Sequence, residues 1–116
     1  MKIDLKQRWL EGLRSGRYAQ GTISLKNKDD KYCCLGVLCD LIDPNGWSLM
    51  KDRDNCYYWL GNWARPPSSV LPNEIQDVLI EMNDVFNKTF LEIADYVEQH
   101  VPVDEPKVAV TQKVLA

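Results

Sequence analysis

Cys34-Leu35-Gly36-Val37-Leu38-Cys39-Asp40-Leu41-Ile42 is the stretch whose reading decides the fold of this 116-residue chain. A nearly continuous apolar run of this length suits a buried strand or a short buried helix, and periodicity alone does not arbitrate. Helix is the better reading. Leu35, Leu38, Cys39 and Ile42 fall at i, i+3, i+4 and i+7, and Asp43-Pro44-Asn45-Gly46 closes the segment as a turn.

Upstream, residues 22–26 alternate and are rich in β-branched side chains, which predicts a strand. Residues 27–30 then make a turn, and residues 31–33 begin the return strand of a β-hairpin. Residues 17–21 are a polar loop between two glycines. Before that loop, Leu5, Trp9 and Leu13 recur on one face of a helix, with Asp4 placed to cap it and Gly16 to end it in a left-handed conformation.

Downstream, residues 47–50 and 56–60 read as two short strands around a charged turn, 51–55. Residues 61–69 are a loop that Pro66-Pro67 holds extended. Pro72 opens a helix in which Ile75, Val78, Leu79 and Met82 form an apolar stripe. After a turn at 85–88, Thr89 and Glu92 make a capping box, and Phe90, Ile93, Ala94 and Val97 repeat the stripe until Pro102. The expectation is one α+β domain over residues 1–101: N-terminal helix, β-hairpin, buried central helix, short antiparallel strands, C-terminal amphipathic helix pair. Residues 102–116 are a tail, or a final edge strand over 107–115 that would allow a homodimer.

Composition narrows the function classes. A net charge of −3 with scattered Lys and Arg disfavours nucleic-acid binding, which draws most of its affinity from basic residues on phosphates. No apolar run approaches the roughly 20 residues that span a bilayer, and the N-terminus is charged and amphipathic rather than signal-like. A cytoplasmic protein with reduced thiols is expected.

Chemistry-bearing residues are few. Cys33, Cys34, Cys39, Cys56 and His100 could supply metal ligands, but only Cys34 and Cys39 approach a ligand spacing, and on a helix they face different ways. Neither metal nor cofactor is expected. A cysteine opening a buried helix can be a nucleophile, so a cysteine hydrolase using Cys34 and His100 is one alternative. The last two helices invite a DNA-binding regulator as another, although Lys88, Glu92, Asp95 and Glu98 would present phosphate with a mostly acidic face. In the loops, Arg17, Tyr18 and Gln20, and separately Trp63 and Arg65 beside Asn62, combine an aromatic, a guanidinium and an amide. Those groups suit recognition by stacking, anion contact and an orienting hydrogen bond.

Three segments carry a resemblance: Trp9-Leu10-Glu11-Gly12-Leu13-Arg14-Ser15-Gly16-Arg17-Tyr18-Ala19-Gln20, then Tyr32-Cys33-Cys34-Leu35-Gly36-Val37-Leu38-Cys39-Asp40-Leu41, then Met82-Asn83-Asp84 with Phe90-Leu91-Glu92-Ile93-Ala94-Asp95-Tyr96-Val97-Glu98. In these the chain resembles a family of small uncharacterised proteins encoded by phages and prophages. It departs from that pattern at Val85-Phe86-Asn87-Lys88, where a smaller glycine-containing turn is expected. The resemblance implies an accessory protein acting in the cytosol of an infected cell, with no activity to transfer. The leading expectation is therefore a non-enzymatic binder that blocks or sequesters a host factor, either a protein or a small anionic nucleotide signal. Such a role would fit an anti-defence protein.

Overall fold

The computed structural model describes residues 1–51 and 55–104. Elements follow in the order α1 (Ile3–Arg14), β1 (Ala19–Gln20), β2 (Lys31–Tyr32), α2 (Cys34–Ile42), β3 (Trp47–Met50), β4 (Cys56–Trp59), α3 (Asn73–Ile80) and α4 (Phe90–His100), an α+β arrangement. The apolar run is a helix, as its spacing predicts, and residues 34–39 are buried on every side. Cys33 caps it, its sulfur accepting the Gly36 N–H at 3.4 Å. A β-carbon on Gly36 would run into the carbonyl oxygen of Leu25. Only glycine lets the chain at Leu25 lie flat against α2.

Against this pillar pack α1 and α3, and α4 packs on α1. Trp9 and Leu13 bury the inner face of α1, and the Trp9 indole donates to the Cys34 carbonyl at 3.0 Å. Gly16 follows the helix at φ +78°, the left-handed stop expected of it. Asp4 does not cap. Lys2 occupies the cap position without a side-chain bond, and Asp4 sits inside the first turn, where its charge still faces the positive end of the helix dipole.

The strand expected over residues 22–26 does not form. Strict alternation would put Ile23 and Leu25 on one face, but only Leu25 enters the core. A three-residue turn, Ser24 N–H to Thr22 C=O at 2.9 Å with Ile23 at φ +77°, sends Ile23 outward and Leu25 inward. The turn over 27–30 is present, closed by Asp30 N–H to Asn27 C=O and Asn27 N–H to Lys31 C=O. Of the hairpin there remains an antiparallel bridge between Lys26 and Tyr32. The strand β2 pairs instead in parallel with β1, Ala19 opposite Lys31 and Gln20 opposite Tyr32.

The antiparallel pair β3–β4 forms as expected, with Trp47 opposite Trp59 and Met50 opposite Cys56. In α3 the stripe is rotated from its expected place. Leu79 is buried, but Val78 is exposed, and the buried line is Gln76, Leu79 and Asn83 at i, i+3 and i+7. Gln76 reaches the core because its amide donates to the Leu71 and Pro66 carbonyls at 2.8 and 3.2 Å. The helix then widens into a π-helical turn, Glu81–Val85. The Thr89–Glu92 capping box opens α4, which buries Phe90, Ile93, Ala94 and Val97 as the sequence predicts. The alternating segment 107–115 lies outside the described residues.

Candidate functional site

The glycine stop after α1 turns the chain so that residues 18–22 run along the start of α4. Between them lies a groove of two compartments, each about 240 Å³, that meet at Gln20 and Thr89. Leu13, Tyr18, Phe90 and Leu91 make the first compartment apolar, with Arg14 at its side. Thr22, Asn83, Asn87 and Lys88 make the second polar. Leu91 stands 59% exposed at the rim. Val85 and Phe86, in the corner between α3 and α4, are 64% and 61% exposed.

Two amides build the floor. Gln20 donates to Asn83 Oδ1 at 2.9 Å and to the Lys88 carbonyl at 2.8 Å, and its own Oε1 accepts the Phe90 N–H at 3.1 Å. Asn83, almost fully buried, accepts the Cys34 N–H at 3.3 Å and donates to the Gly21 carbonyl at 2.9 Å and to Asp84 at 2.7 Å. The π-helical turn aims Asn83 inward, where it ties the start of α2 to the loop at Gly21.

Tyr18 anchors the apolar compartment. Its hydroxyl donates to Asp40 Oδ2 at 2.7 Å, while the Trp47 indole donates to Asp40 Oδ1 at 3.0 Å. Burial, then the bonded carboxylate, push the Tyr18 phenol well above its ordinary range. From Tyr18 a row of edge-to-face rings runs through Tyr32 and Trp47 to Tyr57, with successive centroids 5.0, 5.9 and 6.4 Å apart. The Lys26 ammonium lies 4.3 Å from the Tyr57 centroid and 5.3 Å from those of Tyr32 and Trp47. Of this row, Tyr18 is the ring that lines the groove.

Of the sequence-nominated residues, Tyr18 and Gln20 come together in the groove. Arg17, next along, forms a two-pronged ion pair with Glu11 at 2.8 and 2.9 Å. Trp63 and Arg65 line neither compartment: the Trp63 carbonyl accepts the Leu25 N–H at 3.1 Å, and Arg65 pairs with Asp77 at 2.9 Å. Asn83, Leu91 and Lys26 escaped the sequence reading because long-range packing alone gives them their positions. Asp40 did carry a signal, as the one charge inside an otherwise apolar helix.

Three of the four thiols, Cys33, Cys34 and Cys39, are buried, and Cys56 is half-buried. Cys34 is fully buried with its sulfur 3.7 Å from the Leu79 carbonyl, and burial raises its pKa well above the ordinary thiol value. Burial likewise pushes Cys33 up to about 12. His100, exposed at the end of α4, stacks on Tyr96 and has Nδ1 3.1 Å from the Tyr96 carbonyl. The outer side of α4 carries Glu92, Asp95 and Glu98, and Arg14 bridges the last two at 3.0 and 2.6 Å. Among the described residues, no three His, Cys, Asp or Glu side chains cluster as a metal site would require, and no helix is long and apolar enough to cross a membrane.

Fold and site together define a small α+β domain with three buried thiols and an open amphipathic groove. The chain belongs to the family described as a domain of unknown function (DUF8296), whose model matches residues 1–78. That match takes in the first two of the three segments quoted above and stops short of the third. No curated protein and no solved structure matches the chain.

Proposed function

We propose that this chain is a non-enzymatic binding protein of the phage-encoded accessory type, acting in the host cytosol. It blocks or sequesters a host protein through the groove between residues 18–22 and the start of α4. One observation carries the reading: a built apolar compartment, with Leu91 standing exposed at its rim, sits on a floor whose polar groups are already satisfied by the chain itself. An apolar cleft on a rigid base suits a protein side chain. A small anionic nucleotide is the weaker ligand, because the guanidiniums of Arg17 and Arg65 are engaged by Glu11 and Asp77. A hydrolase would need a reachable thiolate, and burial disfavours that ion at Cys34.

The test uses the purified chain as bait in a bacterial lysate beside Leu91→Asp and Lys88→Glu. Both altered side chains line the groove, Leu91 at its exposed rim. The expected result is a protein retained by the wild type and lost from Leu91→Asp, with unchanged melting temperatures. Retention of the same protein by both variants would sink the groove as the contact site.

A further inference from the structure

In an antiparallel ladder, residues that exchange both backbone bonds with the neighbouring strand alternate with residues that turn both groups away from it. In the β3–β4 pair this alternation is fixed from the β4 side. Tyr57 donates its N–H to the Lys26 carbonyl at 3.0 Å, and Trp59 to the Asn62 carbonyl at 2.8 Å, both away from β3. Across the ladder they face Leu49 and Trp47. The ladder bonds therefore run through Ser48–Tyr58 and Met50–Cys56, and Trp47 and Leu49 turn their own N–H and C=O groups to the outer edge of β3. Among the described residues none pairs with that edge. Natural sheets blunt such an edge with lysine, proline or a bulge. Trp47-Ser48-Leu49-Met50 has none of these, and Leu49 and Met50 are 47% and 38% exposed.

A second copy of the strand complements the first. The alternation admits bonds only through Trp47 and Leu49. The two-fold register that uses both sets Trp47 opposite Leu49 of the second copy, with Ser48 opposite Ser48 at the axis. On one face Leu49 then lies against the indole of the second copy's Trp47. On the other, Met50 comes level with the second copy's Gly46, beside the exposed Leu60 that packs over that glycine. Both exposed apolar side chains of the strand gain an apolar neighbour, and no charge in the strand repels its copy.

We propose that the outer edge of β3 is an interface between two copies of this chain, a two-fold antiparallel pairing that continues the sheet across the axis. Trp47 and Leu49 of each copy exchange backbone bonds with Leu49 and Trp47 of the other. The strand lines neither compartment of the groove, so the pairing stands apart from the binding reading above.

Sedimentation equilibrium of the full chain tests the pairing, beside Leu49→Pro. The wild-type mass should climb with concentration from that of one chain toward that of two. Proline removes an outward N–H and no bond of the β3–β4 ladder, so the thermal melt should stay cooperative. The dimer should weaken about tenfold or more, because each copy loses a bond. Ser48→Cys, made together with Cys56→Ser, reads the register independently. At the axis it forms a non-hydrogen-bonded pair with Cα atoms about 4.5 Å apart, within reach of a disulfide. Mild oxidation should link two Ser48→Cys chains and leave Met50→Cys chains single. A wild type that keeps the mass of one chain up to about 1 mM would overturn the interface. So would a dimer that a folded Leu49→Pro leaves at full strength, or cross-linking at position 50 rather than 48. A single-chain mass with the Leu49 amide protected from hydrogen exchange would overturn it too, since the chain's own residues would then hold the edge.

Discussion

At the scale of single residues, the interior of this domain is guarded by thiols and amides that have nowhere else to go. Burial raises the pKa of Cys33, Cys34 and Cys39, Cys33 to about 12. In the unfolded chain these thiols ionise near the ordinary value of about 8.5. The native state thus keeps protons that the unfolded state releases, so stability holds below about pH 8.5 and falls as pH rises toward 12. The slope is about 1.4 kcal/mol per pH unit for each thiol involved. Urea midpoints at pH 7.5, 9 and 10.5 should be level and then fall; a level profile throughout would mean the thiols are open to solvent. At pH 7.5 a thiol reagent should modify the half-buried Cys56 alone, and all four cysteines only after unfolding. Asn83 makes the second case. Replacing it with alanine strands the Cys34 N–H, the Gly21 carbonyl and one donor of Gln20. The expected loss is about 2–4 kcal/mol in chemical denaturation.

At the scale of elements, the helix α2 depends on an approach that only glycine permits. The atom that a Gly36 β-carbon would strike is backbone, the Leu25 carbonyl, rather than the movable end of a side chain. Gly36→Ala should therefore cost about 3 kcal/mol or more, or leave no folded protein, as read by circular dichroism and a thermal melt. A variant as stable as the wild type would mean that Leu25 does not press on the helix. The helices themselves were legible in the sequence: α2 from its spacing, α4 from Thr89 and Glu92, the end of α1 from Gly16. Those signals are local. What could not be read depended on distant partners. Residues 22–26 look like a strand until the core accepts Leu25 and refuses Ile23. The buried line of α3 hid because Gln76 and Asn83 are polar and are held inside by backbone groups, Gln76 by the nearby Leu71 and Pro66 carbonyls and Asn83 by the distant Cys34 N–H and Gly21 carbonyl. In the site, Tyr18 and Gln20 were nominated as contacts for a ligand, and both bond the protein's own groups as well. Tyr18 therefore also holds Asp40, and Tyr18→Ala would weaken the fold along with any binding. Arg17 and Arg65 looked available because their carboxylate partners, six and twelve residues away, give no sign of pairing in the sequence.

At the scale of the whole molecule, the family match and the core do not share a boundary. The match covers residues 1–78, while the interior also takes Leu79, Phe90, Ile93, Ala94, Val97 and Val101. The first helix packs chiefly on α4 and α2, so removing α4 would expose much of the α1 face that holds Trp9 and Leu13. Asn83 would go too, and with it the bond that ties the start of α2 to the loop at Gly21. Burial on this scale is the main term opposing chain entropy in a domain this small, and little stability is left once a wall is gone. A chain cut after residue 78 should therefore show no cooperative thermal transition and should bind a hydrophobic dye, whereas residues 1–104 should melt cooperatively. The cap residue Thr89 and the α4 residues Phe90 and Leu91 that line the groove would be missing as well, so fold and binding surface would be lost together. A sharp, dye-free transition in the 1–78 fragment would show instead that the matched segment closes its own core, and that α4 is an addition to a domain already complete.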